Sequence, residues 1–299
     1  MKSNKLYLLL SFVFIWCLTG CENANHTRIV FMQGPPGSIW GNLYTIDNTG
    51  NNIVQLTSSG MDAYPRWSPE KDKIVFNRRA GGTNGNWDIY IISPDGTGET
   101  GLITGAKDDI YPSWSPDGYK LAFVRLHRSM PGGKAIIVYN IRTHNEEILD
   151  DFAIIGRDLN LYGPCWSPDG DKIAFYGAAK DNSGIYTISY PAGIPWEYMR
   201  VLGSQPDWAS KDRGGDKGKI VYRRNGIHVM NGNGLEDRLI YNLGENPKWS
   251  VNFNEIVFQK INTSGSAPYT NQIYKIQENG TLPVQLTNNP LLEHKYPHW

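Results

Sequence analysis

Cysteine is scarce in this sequence, with only Cys17, Cys21 and Cys165 among 299 residues. So few thiols build no disulfide framework, and stability has to come from packing. Net charge is missing as well: 29 Lys+Arg balance 29 Asp+Glu, and charged residues make up 19% of the chain. That balance supplies no global basic face for nucleic acid and no acidic tail. Ala/Leu/Glu/Lys-rich heptads are absent, which argues against a helical bundle. The apolar run from Leu6 to Leu18 has thirteen residues, short of the about 20 that span a bilayer. What is plentiful is Gly (32), Tyr (17) and Trp (10), a mixture suited to many short strands joined by tight turns.

The short apolar run follows Lys2 and Lys5 and ends in Leu18-Thr19-Gly20-Cys21. Charge, apolar stretch and small residue in that order are the marks of an export signal, and the last four residues resemble the bacterial lipobox. An ordinary secretory peptide with a chance cysteine is the alternative. The expectation is therefore a lipoprotein-type signal peptide over 1–20, a lipid-attachment Cys21 with a short tether over 21–27, and a folded body over 28–299. Attachment at Cys21 leaves Cys165, between Pro164 and Trp166, to be a small buried thiol.

The body is built on a repeat. Pro-x-Trp occurs at Pro65/Trp67, Pro112/Trp114, Pro164/Trp166, Pro206/Trp208, Pro247/Trp249 and Pro297/Trp299, with successive tryptophans 47, 52, 42, 41 and 50 residues apart. Periods of that length with several apolar segments per repeat are the mark of four-stranded propeller blades. An apolar strand follows each of the first five tryptophans: Lys73-Ile-Val-Phe76, Lys120-Leu-Ala-Phe123, Lys172-Ile-Ala-Phe175, Lys219-Ile-Val-Tyr222 after a longer loop, and Glu255-Ile-Val-Phe258. Between Trp and strand stands Ser-Pro-Asp-Gly (115–118 and 167–170), or its variant Ser68-Pro69-Glu70. Pro presets φ and Gly tolerates positive φ, so this segment is a tight turn. Third strands follow, such as Asp88-Ile-Tyr-Ile-Ile92 and Gln272-Ile-Tyr-Lys-Ile276, then short outer strands such as Gln55-Leu-Thr57. The body opens on a second-type strand, Arg28-Ile-Val-Phe31, and finishes on an innermost one, Tyr296-Pro-His-Trp299. Joined, these ends complete one blade. The expected fold is all-β, a monomeric six-bladed β-propeller of four-stranded blades, closed by one C-terminal strand joining three N-terminal strands.

The pattern Tyr-Pro-x-Trp-Ser-Pro-Asp-Gly-x-Lys-Ile-Ala-Phe, followed by Ile-Tyr and Leu-Thr, resembles the repeat of the TolB C-terminal propeller. Tyr111 to Phe123 is its closest copy. The resemblance covers nearly all the body and implies a propeller. It departs from TolB in lacking that family's preceding α/β domain, where the lipobox stands instead.

Catalytic signatures are missing: there is no Gly-x-Ser-x-Gly elbow and no phosphate loop. His26, His127, His144, His228, His294 and His298 do not recur at blade-equivalent sites, so neither a metal nor another cofactor is expected. Asp95, Asp117 and Asp169 read as turn residues and the six motif tryptophans as core. Function should then reside where the repeats differ. Just before the Pro-x-Trp sites stand Asp62, Asp108-Asp109, Asn160, Glu245 and His294-Lys295, while the long loops supply Arg78-Arg79, Arg125, His127, Arg128 and Lys134. This acidic and amide ring beside a basic crescent suggests a site for a protein or peptide of the cell envelope, built from Asp62, Asp109, Asn160, Glu245, His294, Arg78 and Arg125. The alternative is a carbohydrate-binding or carbohydrate-active surface, which should pair Trp40 or Trp87 with carboxylates in one cleft.

Overall fold

A computed structural model describes residues 27–126, 134–151, 160–178, 183–191, 197–199, 201–209, 218–250, 254–262 and 269–299. The expected signal, Cys21, nearly all of the tether, His26, His127 and Arg128 lie outside these residues. So does most of the loop that separates Trp208 from its following strand.

Among the described residues, twenty-four strands form six four-stranded antiparallel sheets. The innermost strand of blade 1 is Glu293–His298, paired with Arg28–Gly34, which in turn pairs with Asn42–Asp47. The innermost strands of blades 2 to 6 are Asp62–Trp67, Asp108–Trp114, Asn160–Trp166, Ser204–Trp208 and Glu245–Trp249. The one-plus-three closure expected from the two ends is thus present.

Each blade needs something to hide its two apolar faces, and its neighbours provide it. Six apolar clusters occur, one at each junction between adjacent blades. The second strand of every blade places one aromatic ring at the same position: Phe31, Phe76, Phe123, Phe175, Tyr222 and Phe258, all fully buried. Burial of one such ring stabilises by about 2–3 kcal/mol, so the repeat is also the unit of stability. Five motif tryptophans are buried and Trp114 is half-buried. Their indoles also tie blade to blade: Trp114 Nε1 donates to the Arg66 carbonyl (3.3 Å) and Trp166 Nε1 to that of Ser113 (3.2 Å).

Each innermost strand carries an irregularity in its pairing just before Pro-x-Trp. At this bulge the residue preceding the proline is left-handed: Tyr64 (φ 52°), Tyr111 (61°), Gly163 (52°), Gln205 (56°), Asn246 (50°) and Tyr296 (55°). A non-glycine side chain rarely adopts that conformation, so its recurrence in five blades requires support from neighbours. Buried amides provide it at some junctions. Asn77 Oδ1 accepts from Tyr111 N–H (2.9 Å) while its Nδ2 donates to the Asp109 carbonyl (2.8 Å), and Gln259 Oε1 accepts from Tyr296 N–H (2.9 Å). The bulge re-aims the strand at the channel.

Candidate functional site

Among the described residues, two cavities are lined by the innermost strands. The upper one, about 440 Å³, lies where the innermost strands begin, with Tyr64, Tyr111, Tyr162 and Tyr296 on its wall together with Gln205, Glu245, Asn246 and Lys295. Its tyrosines touch in sequence: Tyr64 packs on Tyr296 (ring centroids 4.0 Å apart) and on Tyr111 (4.6 Å), and Tyr111 lies 6.0 Å from Tyr162. Burial pushes the Tyr64, Tyr111 and Tyr296 hydroxyls up, the last to about 12, so all three stay neutral hydrogen-bonding groups at physiological pH. Arg66 and Lys248 line both cavities, so the two meet at the level of these side chains.

The lower cavity, about 300 Å³, opens among the Ser-Pro turns. All six motif tryptophans line it, and so do the six residues between Pro and Trp: Arg66, Ser113, Cys165, Asp207, Lys248 and His298. The invariant part of the repeat thus builds the wall, and its one free position supplies six different functional groups. Lys248 Nζ bonds Asp207 Oδ1 (3.1 Å) and the Pro206 carbonyl (3.3 Å), while Asp207 Oδ2 accepts from Trp249 N–H (2.9 Å). His298 Nδ1 accepts from Trp67 N–H (3.2 Å). Burial, then the cations Arg66, Lys71 and Lys248, drive His298 far below the usual imidazole range, so it is neutral. The Cys165 thiol is buried, and burial pushes it up to about 12, so it carries no charge.

The acidic ring and basic crescent of the rim prove to be a set of pairs. Arg78 bonds both oxygens of Asp62 (2.6 and 3.0 Å) and also Glu99. Arg125 repeats this with Asp109 (2.7 and 2.9 Å) and Glu146 (2.5 and 2.9 Å). Asp62 is wholly buried and Asp109 nearly so, which leaves these carboxylates holding the blade's first two strands together rather than facing solvent. His294 is buried too, with Nε2 3.0 Å from Gln33 Oε1, and burial lowers it to about 4. Asn160 is exposed, and Glu245 meets Arg223 (3.1 Å) on the open rim. Of the expected site residues, Glu245 is the one that lines the upper cavity.

Trp40 and Trp87 pack on each other (6.1 Å), and both rings carry the Arg79 guanidinium (5.6 and 5.9 Å). Among the described residues, no group of three or more His, Cys, Asp or Glu side chains could hold a metal ion. The residues missed by sequence reasoning are the channel tyrosines and the six between Pro and Trp. Stacking the repeats would have exposed the second set, as a column of six different residues between two constant ones.

No family model matches the chain, and no curated protein matches it in sequence. Solved structures do match in shape. TolB from Acinetobacter baumannii superposes with a TM-score of 0.73 at 17% identity, over 94% of this chain and 68% of its own. A chain of the nidogen/laminin complex gives 0.66 at 10% identity, over 91% and 97%. Oligogalacturonate lyase from Vibrio parahaemolyticus gives 0.55 at 11%, over 86% and 78%. At such identities the likeness is one of fold, and a TolB-like six-bladed propeller is what it shows.

Proposed function

We propose that this chain is an exported, lipid-anchored binding protein without catalytic activity, whose upper channel mouth receives a protein or peptide of the cell envelope. The observation that carries this reading is the tyrosine-walled cavity of about 440 Å³, which places Glu245, Lys295, Arg66 and Lys248 beside four aromatic rings. Rings with few rotatable bonds offer large contact area at low ordering cost, and the charges beside them orient a polar chain. The Asp62–Arg78 and Asp109–Arg125 pairs hold the rim's shape, and Asn160, Glu245 and Lys295 make the contacts. A carbohydrate site would want carboxylates against Trp40 and Trp87. A guanidinium faces them instead, which favours the peptide reading.

Crosslinking in the native envelope followed by pull-down tests this. One partner should be recovered, and its yield should drop at least tenfold in Tyr111→Ala combined with Glu245→Lys. Turnover of a glycan by the pure protein, or capture indifferent to both changes, would overturn the proposal. The anchor has a separate test, since Cys21→Ser should move the protein from the membrane to the soluble fraction.

A further inference from the structure

The start of the outermost strand differs in kind around the ring. Cross-strand register aligns Glu99-Thr100 of blade 2 and Glu146-Glu147 of blade 3 with Ile53-Val54 of blade 1 and Pro283-Val284 of blade 6. In blades 2 and 3 the position holds the glutamate that bonds Arg78 or Arg125. In blades 6 and 1 it holds apolar side chains left in solvent: Ile53 is 52% exposed, Val54 45% and Val284 52%. Leu282 beside them, at 90%, is the most exposed large apolar residue among the described ones. A single exposed aliphatic needs no explanation, but four on adjoining blades do. The two segments border one corner of the ring. The blade 1 turn at Gly50 packs so closely on blade 6 that a Cβ there would lie 2.8 Å from the Leu286 carbonyl oxygen.

The chain enters the folded body at this same corner. Arg28 Nη2 donates to the Asn52 carbonyl (2.7 Å), and Nε and Nη2 donate to Thr45 Oγ1 (3.1 and 2.7 Å). Asn52 adjoins Ile53, and Thr45 pairs with Val54. Arg28 stands at the lower end of the ring, because its strand runs from there to Gly34, which pairs with Glu293 at the mouth. Six residues, Glu22 to Thr27, separate Cys21 from Arg28. That length spans at most about 25 Å when fully extended, so a lipid on Cys21 holds the bilayer within this distance of the apolar corner.

We propose that Ile53, Val54, Leu282 and Val284 form a membrane-docking surface, seated on the acyl boundary of the bilayer that holds the anchor. The proposal rests on the lipid-anchored reading above. Apolar side chains at the interface add to the hold of an acyl chain, and they fix the orientation of the body, which a lipid on a tether alone leaves open. With this lower corner on the bilayer, the upper mouth faces away from it, toward a partner. The four residues are uncharged, and Arg28 beside them is offset by Asp47. Docking therefore depends on apolar contact rather than on anionic headgroups, and salt does not screen it.

The lipid-modified full chain in phosphatidylcholine vesicles tests this. A nitrobenzoxadiazole label on Val54→Cys or Val284→Cys should shift its emission to the blue, and brominated acyl chains should quench it at least twofold. The same label on Ile148→Cys, a site 60% exposed on the outer strand of blade 3, should do neither. About 0.5 M NaCl should leave the quenching unchanged. Ile53→Asp combined with Leu282→Asp alters exposed side chains alone, so the protein should keep its Tm and still float with the vesicles, while the label on Val284→Cys loses its quenching. Vesicle-bound protein whose labels at positions 54 and 284 behave like the one at 148 would overturn docking and leave the anchor standing. Protein that fails to float would overturn the anchor and docking with it. A blue shift that grows with protein density and that brominated lipid does not quench would assign the corner to a second copy of this chain, which also overturns the proposal.

Discussion

The two ends of the channel are made from the same strands yet differ in kind. At the upper end the wall is tyrosine, at a bulge where backbone strain re-aims the chain, and charges of both signs stand on the rim. At the lower end the wall is tryptophan, fixed by the packing that every blade needs, and the chemistry hangs on single residues between constant neighbours. The difference teaches that constancy and variation are interleaved residue by residue. The Trp at each motif serves the junction, and the residue before it is free to serve the channel.

The largest expected effect lies in the lower wall. Trp166→Ala empties a junction cluster and should cost about 3–5 kcal/mol, whereas Tyr162→Ala at the open mouth should cost under about 1 kcal/mol; urea unfolding of both variants measures the contrast. Similar losses would mean that the two walls do not differ as described. Next come the ion pairs. Arg125→Met leaves Asp109 buried without its cation and should destabilise by about 3 kcal/mol, while Arg223→Met, facing Glu245 on the rim, should change stability by less than about 1 kcal/mol.

Acid sharpens the comparison further. His294 binds its proton near pH 4 when folded and near 6.5 when unfolded, so between these values the unfolded chain holds more protons. Its contribution is complete above about pH 6.5 and is lost as pH falls toward 4, by up to about 3 kcal/mol. Thermal melts should therefore drop over that window, and His294→Gln should flatten the dependence. The smallest effect is chemical: Cys165, with its thiol pushed up to about 12, should stay unmodified by a thiol reagent at pH 8 for as long as the protein is folded.

Much of the fold was legible because its determinants are local. Pro-x-Trp, the Ser-Pro-Asp-Gly turn and the alternating third strand each declare themselves within a dozen residues, and the six-fold recurrence supplies the architecture. The rim was less legible. Asp62 and Arg78 read as opposite members of an open surface because their pairing depends on cross-strand register, although the Asp–Arg–Glu spacing recurs in blades 2 and 3 as Asp62/Arg78/Glu99 and Asp109/Arg125/Glu146. Lys71 was not singled out: at φ 58° it takes the left-handed turn position that Gly118 and Gly170 fill in the next two blades, a conformation that its residue type argues against.

Pairing Val30 with His298 makes the first blade wait for the last strand. Bringing together residues so far apart costs roughly 5 kcal/mol of chain entropy before any contact repays it. Blades 2 to 6 draw their strands from contiguous sequence and can assemble in turn, so the final seam is the natural late step of folding. Until it forms, the Arg28–Gly34 strand offers an unpaired edge to any extended segment nearby, and a nascent chain, made from its N-terminus, carries that edge first. Ring closure is in that sense a timing device, which withholds the completed channel until the last strand has been made.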